Sequence, residues 1–217
     1  MALAIFDLDN TLLGGDSDHA WGEFLVEQGI VNATAYKQAN DYYYQAYLNG
    51  NLDINAFLQF SLKPLSQHST EQLNKWHQQF MQEKIEPLML SKATSLLNDH
   101  RSNGDYLLII TATNAFVTSP IAERLGVDHL LATTPEFING RYTGQVSGTP
   151  CFQAGKVKRL HNWLTATNHS LDGSYFYSDS HNDLPLLEEV DNPVAVDPDD
   201  TLREVAQSKG WPIISLR

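Results

Sequence analysis

Cysteine and long apolar segments are the scarcest features of this 217-residue chain. The one cysteine, Cys151, excludes an internal disulfide, and such scarcity is typical of a reducing compartment, so we expect a cytoplasmic location. No uninterrupted apolar run approaches the length that a bilayer-spanning helix needs. The apolar run near the N-terminus has no basic residues before it and is interrupted by Asp7, so neither a signal peptide nor a membrane anchor is expected.

Positive charge is also scarce in this sequence. There are 14 Lys and Arg against 26 Asp and Glu, which gives a formal net charge of −12, and there is no basic run. Because nucleic acids and anionic membranes are bound through positive charge, neither is an expected partner. A small phosphate ester stays an expected partner if a metal ion and a local lysine supply the positive charge. The composition does not indicate an oligomeric state.

The chain contains two kinds of segment. Residues 16–86 show helical spacing of apolar side chains, whereas from residue 88 helical segments alternate with short apolar strands. Helices of the first segment are predicted over 16–29, 33–48, 54–62 and 69–85. The pattern predicts an α/β fold, with a Rossmann-like, mostly parallel sheet flanked by helices and a small α-helical bundle inserted as a cap. We expect a core domain over 1–15 and 87–217 and a helical cap domain over 16–86.

Details of the predicted cap lead to three expectations. Tyr36, Tyr43 and Tyr47 fall on one stripe of the second helix and are interpreted as packing residues. Pro64 is expected to end the third helix. Ser69 is expected to begin the fourth through a capping box.

The first apolar run, Leu3–Phe6, leads directly into two carboxylates, Asp7 and Asp9. The run reads as a buried strand, and ligands of α/β sheets bind at the carboxyl ends of the strands. Two residues apart, these carboxylates would point to the same face of a regular strand. Because neighbouring carboxylates repel each other unless a cation lies between them, the pair favours a magnesium site. The alternative is a strand end at which Asp9 or Asn10 caps a turn.

Four further polar residues are expected at the same edge of the sheet. Thr111 and Asp179 each follow a predicted buried strand, Asp183 lies four residues further on, and Lys156 begins a predicted helix. This set suits phosphoryl transfer. One carboxylate can attack phosphorus and a second can protonate the leaving alkoxide. Mg²⁺ would neutralise the clustered carboxylates, while a hydroxyl group and a lysine hold the phosphoryl oxygens.

Taken in order, these motifs resemble those of the haloacid dehalogenase-like (HAD) phosphatases. The closest resemblance is to the phosphoserine phosphatase-like branch (subfamily IB), which also includes histidinol-phosphate phosphatases. The segment Asp-Leu-Asp-Asn-Thr-Leu at 7–12 is similar to the first motif, Asp-x-Asp-x-Thr-[Leu/Val]. Thr111 is similar to the second motif and Lys156 to the third, and Asp-Ser-His-Asn-Asp at 179–183 is similar to the fourth, Asp-x-x-x-Asp. The resemblance covers essentially the whole chain, and this branch carries its helical cap where residues 16–86 lie.

The resemblance implies a magnesium-dependent phosphatase that works through an aspartyl-phosphate. It implies that Asp7 is the nucleophile and a metal ligand, and that Asp9 is the general acid and base, with its backbone carbonyl on Mg²⁺. Thr111 and Lys156 would hold the transferring phosphoryl group, and Lys156 would also hold Asp7. Asp179 and Asp183, the two acids of the fourth motif, would bind Mg²⁺. Asp179 would bind it directly, and Asp183 would bind it directly or through water.

The resemblance also bears on the substrate. In phosphoserine phosphatases an acidic cap residue binds the substrate amino group, and Asp16 stands at that position here. The alternative is that Asp16 only caps the first helix. Those enzymes hold the substrate carboxylate with a cap arginine, expected near Ser61, but residues 16–86 contain no arginine and Lys63 is the nearest cation.

We therefore expect an amino-alkyl phosphate without a carboxylate, such as histidinol phosphate, whose imidazole could stack against aromatic cap residues. Phosphoethanolamine also fits. Phosphoserine is the alternative if Lys63, or a residue outside the aligned segment, replaces the arginine. The same residues would serve a phosphotransferase that passes the phosphoryl group to a small alcohol. A non-enzymatic binding protein is not expected, because every motif residue is present. The candidate substrate contacts are Asp16, Thr111, Ala112, Lys156 and Asn182.

Overall fold

The structure, a computed structural model, describes residues 2–217; residue 1, with which the predicted core domain begins, lies outside them. The strands of the described part are β1 Leu3–Phe6, β2 Tyr106–Asn114, β3 His129–Thr133, β4 Pro135–Ile138, β5 Arg141–Val146, β6 Tyr175–Ser178, β7 Asn192–Val196 and β8 Ile213–Ile214. The helices are α1 Ser17–Glu27, α2 Ala33–Leu48, α3 Ile54–Ser61, α4 Lys63–Gln67, α5 Thr70–Phe80, α6 Ser91–Ser102, α7 Ala115–Leu125, α8 Ala154–Thr167, α9 Leu184–Leu187 and α10 Asp200–Lys209.

Six strands form a parallel sheet in the order β3-β2-β1-β6-β7-β8. The first strand of the chain therefore lies in the middle, between β2 and β6, and the chain order changes direction across it. In open α/β sheets a crevice forms at such a point, outside the carboxyl ends of the strands. Strands β4 and β5 make a separate antiparallel hairpin. The predicted α/β, Rossmann-like fold is confirmed.

Between β1 and α6 the described chain is mainly helical and contains α1 to α5, called here the helical segment. A π-helical turn at Met81–Ile85 and a 3₁₀ turn at Glu86–Leu88 follow it. Whether this segment acts as a separate cap domain stays a prediction.

The third predicted helix ends before Pro64, as expected. Helix α3 ends at Ser61, and Pro64 lies in the first turn of α4, where a residue without an N–H costs little. Helix α5 begins after Ser69, as expected. The Ser69 hydroxyl accepts a hydrogen bond from the Gln72 N–H at 3.3 Å, which is one of the two hydrogen bonds of a capping box.

Two hydrophobic clusters cover the two faces of the sheet. The alternation of side chains along β1 sends Ala4 and Phe6 into one cluster and Leu3 and Ile5 into the other. The Phe6 cluster includes core residues of the helical segment, whereas the Ile5 cluster includes residues of α8, α9 and α10. Burying a large apolar side chain contributes about 1.5–3 kcal/mol, so both clusters fix β1 firmly. The residues that follow β1 are held on a rigid element.

Candidate active site

The predicted polar residues meet at the carboxyl ends of β1, β2 and β6. Strand β1 pairs with both neighbours, and the Asp7 N–H donates to the Tyr177 carbonyl at 2.9 Å, which extends the pairing one residue past β1. Thr111 lies within β2 and not after it as predicted, because β2 continues to Asn114 through a register shift against β3. The structure therefore brings together side chains that are up to about 170 residues apart in the chain.

Lys156, in the first turn of α8, joins two carboxylates. Its Nζ donates to Asp7 Oδ1 at 2.7 Å and to Asp183 Oδ2 at 2.8 Å. The Ser178 hydroxyl donates to the same Asp183 oxygen at 2.7 Å. All of these side chains are buried, so the ion pairs lie away from water. Asp183 is thus held by Lys156 and Ser178 in this structure.

Burial and mutual repulsion shape the ionisation of this group. Burial raises the pKa of Asp7 to about 7; Lys156 opposes this rise, and the charges of Asp183 and Asp9 add to it. Burial would lower the pKa of Lys156, but the charges of Asp183 and Asp7 outweigh it and raise that pKa above its ordinary value. Lys156 is therefore a fixed positive charge, whereas Asp7 titrates near neutral pH.

Asp9 is fixed between β2 and α1. Its Oδ2 accepts hydrogen bonds from the Thr113 hydroxyl at 2.8 Å and the Thr111 hydroxyl at 3.4 Å, and its Oδ1 accepts from the Ser17 N–H at 2.7 Å. The sequence interpretation missed Thr113 as a site residue. Its spacing of two from Thr111 in a strand was the available signal, since such residues share a face.

Asp179 is held by the first motif. Its Oδ1 accepts a hydrogen bond from the buried Thr11 hydroxyl at 3.0 Å, and its N–H donates to the same hydroxyl at 3.1 Å. A left-handed Asn10, with φ of 58°, turns the chain so that Thr11 can make these contacts. Burial, followed by the charges of Asp7 and Asp183, raises the pKa of Asp179 well above its ordinary value.

Within residues 2–217, no group of three or more His, Cys, Asp or Glu side chains is arranged so that it could hold a metal ion. The engagement of Asp183 with Lys156 and Ser178 is one physical reason. The assignment of Asp7, Asp9, Asp179 and Asp183 as magnesium ligands stays a prediction.

Both interpretations of Asp16 have support in the geometry. Its Oδ1 accepts a hydrogen bond from the His19 N–H at 2.8 Å, which is the N-terminal cap of α1. Its carboxylate also faces the cavity above Asp7. Burial, and then the charge of Asp9, raises the pKa of Asp16 to about 7. Capping is therefore observed, and the substrate contact stays a prediction.

A cavity opens above Asp7, between the sheet edge and the helical segment. Its lining consists of carboxylates, aromatic and apolar side chains, and other polar groups: Asp7, Asp9, Asp16, Asp18, His19, Asn40, Tyr43, Tyr44, Tyr47, Leu52, Ile54, Phe57, Thr111, Ala112 and Thr113. Among the described residues, no lysine or arginine lines it. The wall facing a bound substrate is therefore acidic and aromatic.

Two tyrosines of the helical segment differ from the sequence interpretation. Tyr43 and Tyr47 line the cavity and are not merely packing residues, whereas Tyr36 packs against Phe60 with ring centroids 4.5 Å apart. Near the position expected for a cap arginine, Phe57 lines the cavity and Ser61 is buried outside it.

The fourth motif also contacts the helical segment. The Asn182 side chain donates from Nδ2 to the Tyr47 carbonyl at 3.2 Å and accepts from Gln153 Nε2 at 2.9 Å. His181 is paired with Asp199 at 2.8 Å and lies against Gly50, just after α2. Asn182 thus joins the end of α2 to the sheet edge, and its predicted substrate contact stays a prediction.

Comparison with known proteins identifies the family. A model of the haloacid dehalogenase-like hydrolases matches residues 4–188. The chain is 44% identical over 219 residues to a histidinol-phosphatase from Neisseria meningitidis serogroup C, with 99% of each chain covered. It is 30% identical over 221 residues to a phosphoserine phosphatase from Mycobacterium tuberculosis, covering 100% of this chain and 71% of that relative.

Solved structures share the fold. A protein of unknown function from Bordetella pertussis Tohama I matches with a TM-score of 0.94 at 44% identity, covering 100% of this chain and 99% of the other. A substrate-bound phosphoserine phosphatase matches with a TM-score of 0.73 at 16% identity, covering 100% and 93%. With the family model spanning most of the sequence, the chain belongs to the haloacid dehalogenase-like hydrolases.

Proposed function

We propose that this protein is a magnesium-dependent phosphomonoesterase whose substrate is a small amino-alkyl phosphate, with histidinol phosphate as the leading candidate. The observation that carries the proposal is the cavity above Asp7, which is lined by carboxylates and aromatic rings and by no lysine or arginine of the described residues. The 44% identity to a histidinol-phosphatase over nearly the full length of both chains supports the same substrate.

The reaction divides into two displacements at phosphorus. A carboxylate oxygen of Asp7 attacks the phosphorus atom, the bond to the ester oxygen breaks, and protonated Asp9 gives its proton to the departing alkoxide. Asp9 then takes a proton from a water molecule, whose oxygen attacks the aspartyl-phosphate and releases inorganic phosphate and free Asp7. The hydroxyl of Thr111 would donate to a phosphoryl oxygen.

Lys156 has a positioning role before the reaction and an electrostatic one during it. It holds Asp7 Oδ1 at 2.7 Å, which fixes the orientation of the nucleophile. Its positive charge would also stabilise the negative charge of the phosphoryl oxygens in the transition state. Thr113 and the Ser17 N–H hold Asp9 in place for proton transfer.

The residues present fit Mg²⁺ in their chemistry. Burial raises the pKa of both Asp7 and Asp179, and the charge of Asp7 raises that of Asp179 further. Carboxylate oxygens of this kind are hard donors, which are the ligands that Mg²⁺ prefers. When bound, Mg²⁺ would neutralise this charge and polarise a phosphoryl oxygen. Asp7, Asp179 and the Asp9 carbonyl would hold it directly. Asp183 is committed to Lys156 and Ser178, so we assign it a contact through water.

The helical segment disfavours a substrate carboxylate. Phe57 faces the cavity near the place expected for a cap arginine, and Lys63 is exposed to solvent and does not line the cavity. A carboxylate bound there would lie among acidic side chains without a counter-charge, which is costly away from water. Phosphoserine is therefore expected to be a poor substrate.

The experiment is a phosphate-release assay with Mg²⁺ on histidinol phosphate, phosphoserine, phosphoethanolamine and p-nitrophenyl phosphate. We expect kcat/KM for histidinol phosphate to exceed that for phosphoserine by about 100-fold, which corresponds to about 2.7 kcal/mol. Equal values for these two esters would contradict the substrate assignment. Transfer of phosphate to added glycerol in preference to water would instead identify a phosphotransferase.

We also propose a cellular location and a class of binding partner. No helix of residues 2–217 is both long enough and apolar enough to cross a membrane. The single, buried cysteine supports a reducing compartment, and we propose the cytoplasm. The net charge of −12 argues against a nucleic acid or an anionic membrane surface as the binding partner. A small phosphate ester is the proposed partner, because Lys156 and a bound metal ion would supply local positive charge.

A further inference from the structure

Asp18 is a buried carboxylate that the proposed reaction does not use. It lies in the first turn of α1, its side chain lines the cavity above Asp7, and it is only 9% exposed. Among residues 2–217, no donor forms a hydrogen bond with its carboxylate oxygens, although buried acids are ordinarily hydrogen-bonded or paired. The described part of the protein therefore supplies no partner for the Asp18 carboxylate.

The surroundings of Asp18 are negative or aromatic. Burial, followed by the charges of Asp16 and Asp9, raises the pKa of Asp18 well above its ordinary value. Burial, and then the charge of Asp18, raises the pKa of the neighbouring Tyr36. Since no lysine or arginine of the described residues lines the cavity, a cation that enters it would relieve this repulsion.

A role for Asp18 in helix stability does not account for its burial. Acids in the first turn of a helix interact favourably with the helix dipole, and they gain about 0.3–1 kcal/mol even when exposed to solvent. The cap of α1 is already provided by Asp16 through the His19 N–H. Helix stability alone would therefore allow Asp18 to face water.

The position of Asp18 suits contact with the organic part of a phosphate ester. The Ser17 N–H donates to Asp9 Oδ1 at 2.7 Å, which fixes the first turn of α1 beside the proposed acid and base. Asp18 is the next residue and lines the same cavity as Asp9, together with the aromatic rings of Tyr43 and Phe57. A molecule whose phosphate lies over Asp7 can thus extend toward Asp18.

We propose that Asp18, acting with Asp16, forms a subsite that binds the positively charged amino or imidazolium group of the substrate. The inference rests on the proposed phosphomonoesterase activity and deepens it by naming a residue that selects the substrate. Binding of the cation favours the ionised form of both acids, whereas a neutral or anionic group at this position leaves them unpaired. The subsite selects cationic esters over neutral ones of similar size.

The test compares Asp18→Asn with the wild type on histidinol phosphate and p-nitrophenyl phosphate. Asparagine keeps the size of the side chain and removes its charge. We expect KM for histidinol phosphate to rise about 10- to 100-fold, and the ratio of that KM to the KM for p-nitrophenyl phosphate to rise by a similar factor. Glu23→Gln, on the same helix but outside this cavity, is the matched control and should leave the ratio within about twofold.

The outcomes separate the two proposals. An unchanged ratio in Asp18→Asn would overturn the subsite while leaving the phosphatase intact. Failure of the wild type to release phosphate from either ester would overturn the proposed function. In that case calorimetric titration with L-histidinol still tests the subsite, because Asp18→Asn should weaken its binding and equal binding would refute the role of Asp18.

A measurement on the wild type covers the case in which Asp18→Asn does not fold, as judged by circular dichroism. L-histidinol should inhibit hydrolysis of p-nitrophenyl phosphate competitively. L-histidine has a carboxylate in place of the hydroxymethyl group. It should inhibit about tenfold or more weakly, because a carboxylate next to the amino group held by Asp16 and Asp18 would lie among the acidic side chains of the cavity. Equal inhibition by the two compounds would overturn the subsite.

Discussion

Lys156 is one positive charge among several buried carboxylates. It contacts Asp7 and Asp183 directly, whereas the Asp179 carboxylate accepts a hydrogen bond from the Thr11 hydroxyl. One lysine cannot neutralise three acids, and the raised pKa values of Asp7 and Asp179 follow from that imbalance and from burial. The residues at this edge are thus poised for an added cation.

Asp7→Asn tests the proposed nucleophile. The amide cannot form an aspartyl-phosphate, so we expect kcat for histidinol phosphate to fall about a thousandfold or more. The steady-state rate of phosphate release checks this expectation. Asp200→Asn, in the exposed first turn of α10, is the matched control and should keep full activity. Retention of turnover in Asp7→Asn would exclude the covalent mechanism.

Lys156→Met tests the ion pairs as determinants of stability. Removing the lysine leaves two buried carboxylates without a counter-charge, so the free energy of unfolding at pH 8 should fall by about 3–5 kcal/mol. The loss should shrink at pH 5.5, where the buried carboxylates can take up protons. Urea unfolding at both pH values measures this loss in the free energy of unfolding.

Lys158→Met is the control for this substitution, because Lys158 lies on the same helix and is exposed. It should change the free energy of unfolding by less than about 0.5 kcal/mol. A similar loss in both variants would show that the effect comes from α8 and not from the ion pairs.

Helices α1 and α2 connect the carboxyl edge of the sheet to the cavity above Asp7. Helix α1 begins against Asp9 through Ser17 and presents Asp16 and Asp18 to the cavity. Helix α2 adds tyrosines and ends against the fourth motif, where Asn182 holds the Tyr47 carbonyl. Movement of the end of α2 would therefore change access to the cavity.

Gly50→Ala tests this contact. A Cβ atom at residue 50 would lie 2.5 Å from His181 Nε2, so either the His181 ring or the end of α2 must shift. We expect KM for histidinol phosphate to rise about three- to tenfold and amide exchange to increase in α2. Steady-state kinetics and hydrogen exchange measure the two effects.

Gly29→Ala separates the clash from backbone strain. Both glycines adopt a positive φ, 66° at Gly29 and 69° at Gly50, but a Cβ at Gly29 meets nothing within 4 Å. Both variants therefore share a strain of about 1–2 kcal/mol. If Gly29→Ala raised KM as much as Gly50→Ala, the contact with His181 would have no role in substrate access.

At the scale of the whole molecule, a cluster of aromatic rings joins the helical segment to α7. The His77 ring, on α5, lies among Trp21, Phe80 and Phe116, and its Nε2 is 2.9 Å from the Val117 carbonyl on α7. Burial lowers the pKa of His77 below its ordinary value. The cluster of aromatic rings is therefore stable only while this ring is neutral.

The pH dependence of stability follows from this shift. Because the folded-state pKa lies below the unfolded value of about 6.5, the unfolded chain binds more protons as the pH falls. His77 should thus reduce the free energy of unfolding below pH 6.5, by at most about 1.4 kcal/mol per pH unit. Thermal unfolding between pH 7.5 and 5.5 checks this in the wild type and in His77→Gln, which keeps a donor for Val117. An equal fall of Tm in both proteins would rule out His77 as the source.

Some of this molecule could be predicted from its sequence because the signals are local. The apolar run before Asp7 and the alternation of helices and strands after residue 88 indicated the sheet, and parallel strands end at one edge. The side chain of Asp18 could not be assigned this way. Its proposed role in binding a substrate cation depends on how α1 packs beside Asp9 and on the lack of a hydrogen-bond partner for its carboxylate. Residue spacing shows neither of these.

The buried thiol of Cys151 has a practical consequence for measuring motion. Burial raises the pKa of this thiol to about 12, and Sγ lies 3.5 Å from the Leu131 carbonyl, so maleimide dyes at pH 7 should not label it. Cysteines introduced at two exposed positions, Tyr42 on α2 and Lys158 on α8, would then be the only sites of labelling. Fluorescence energy transfer between them could follow opening and closing of the helical segment in single molecules, with the native cysteine left in place.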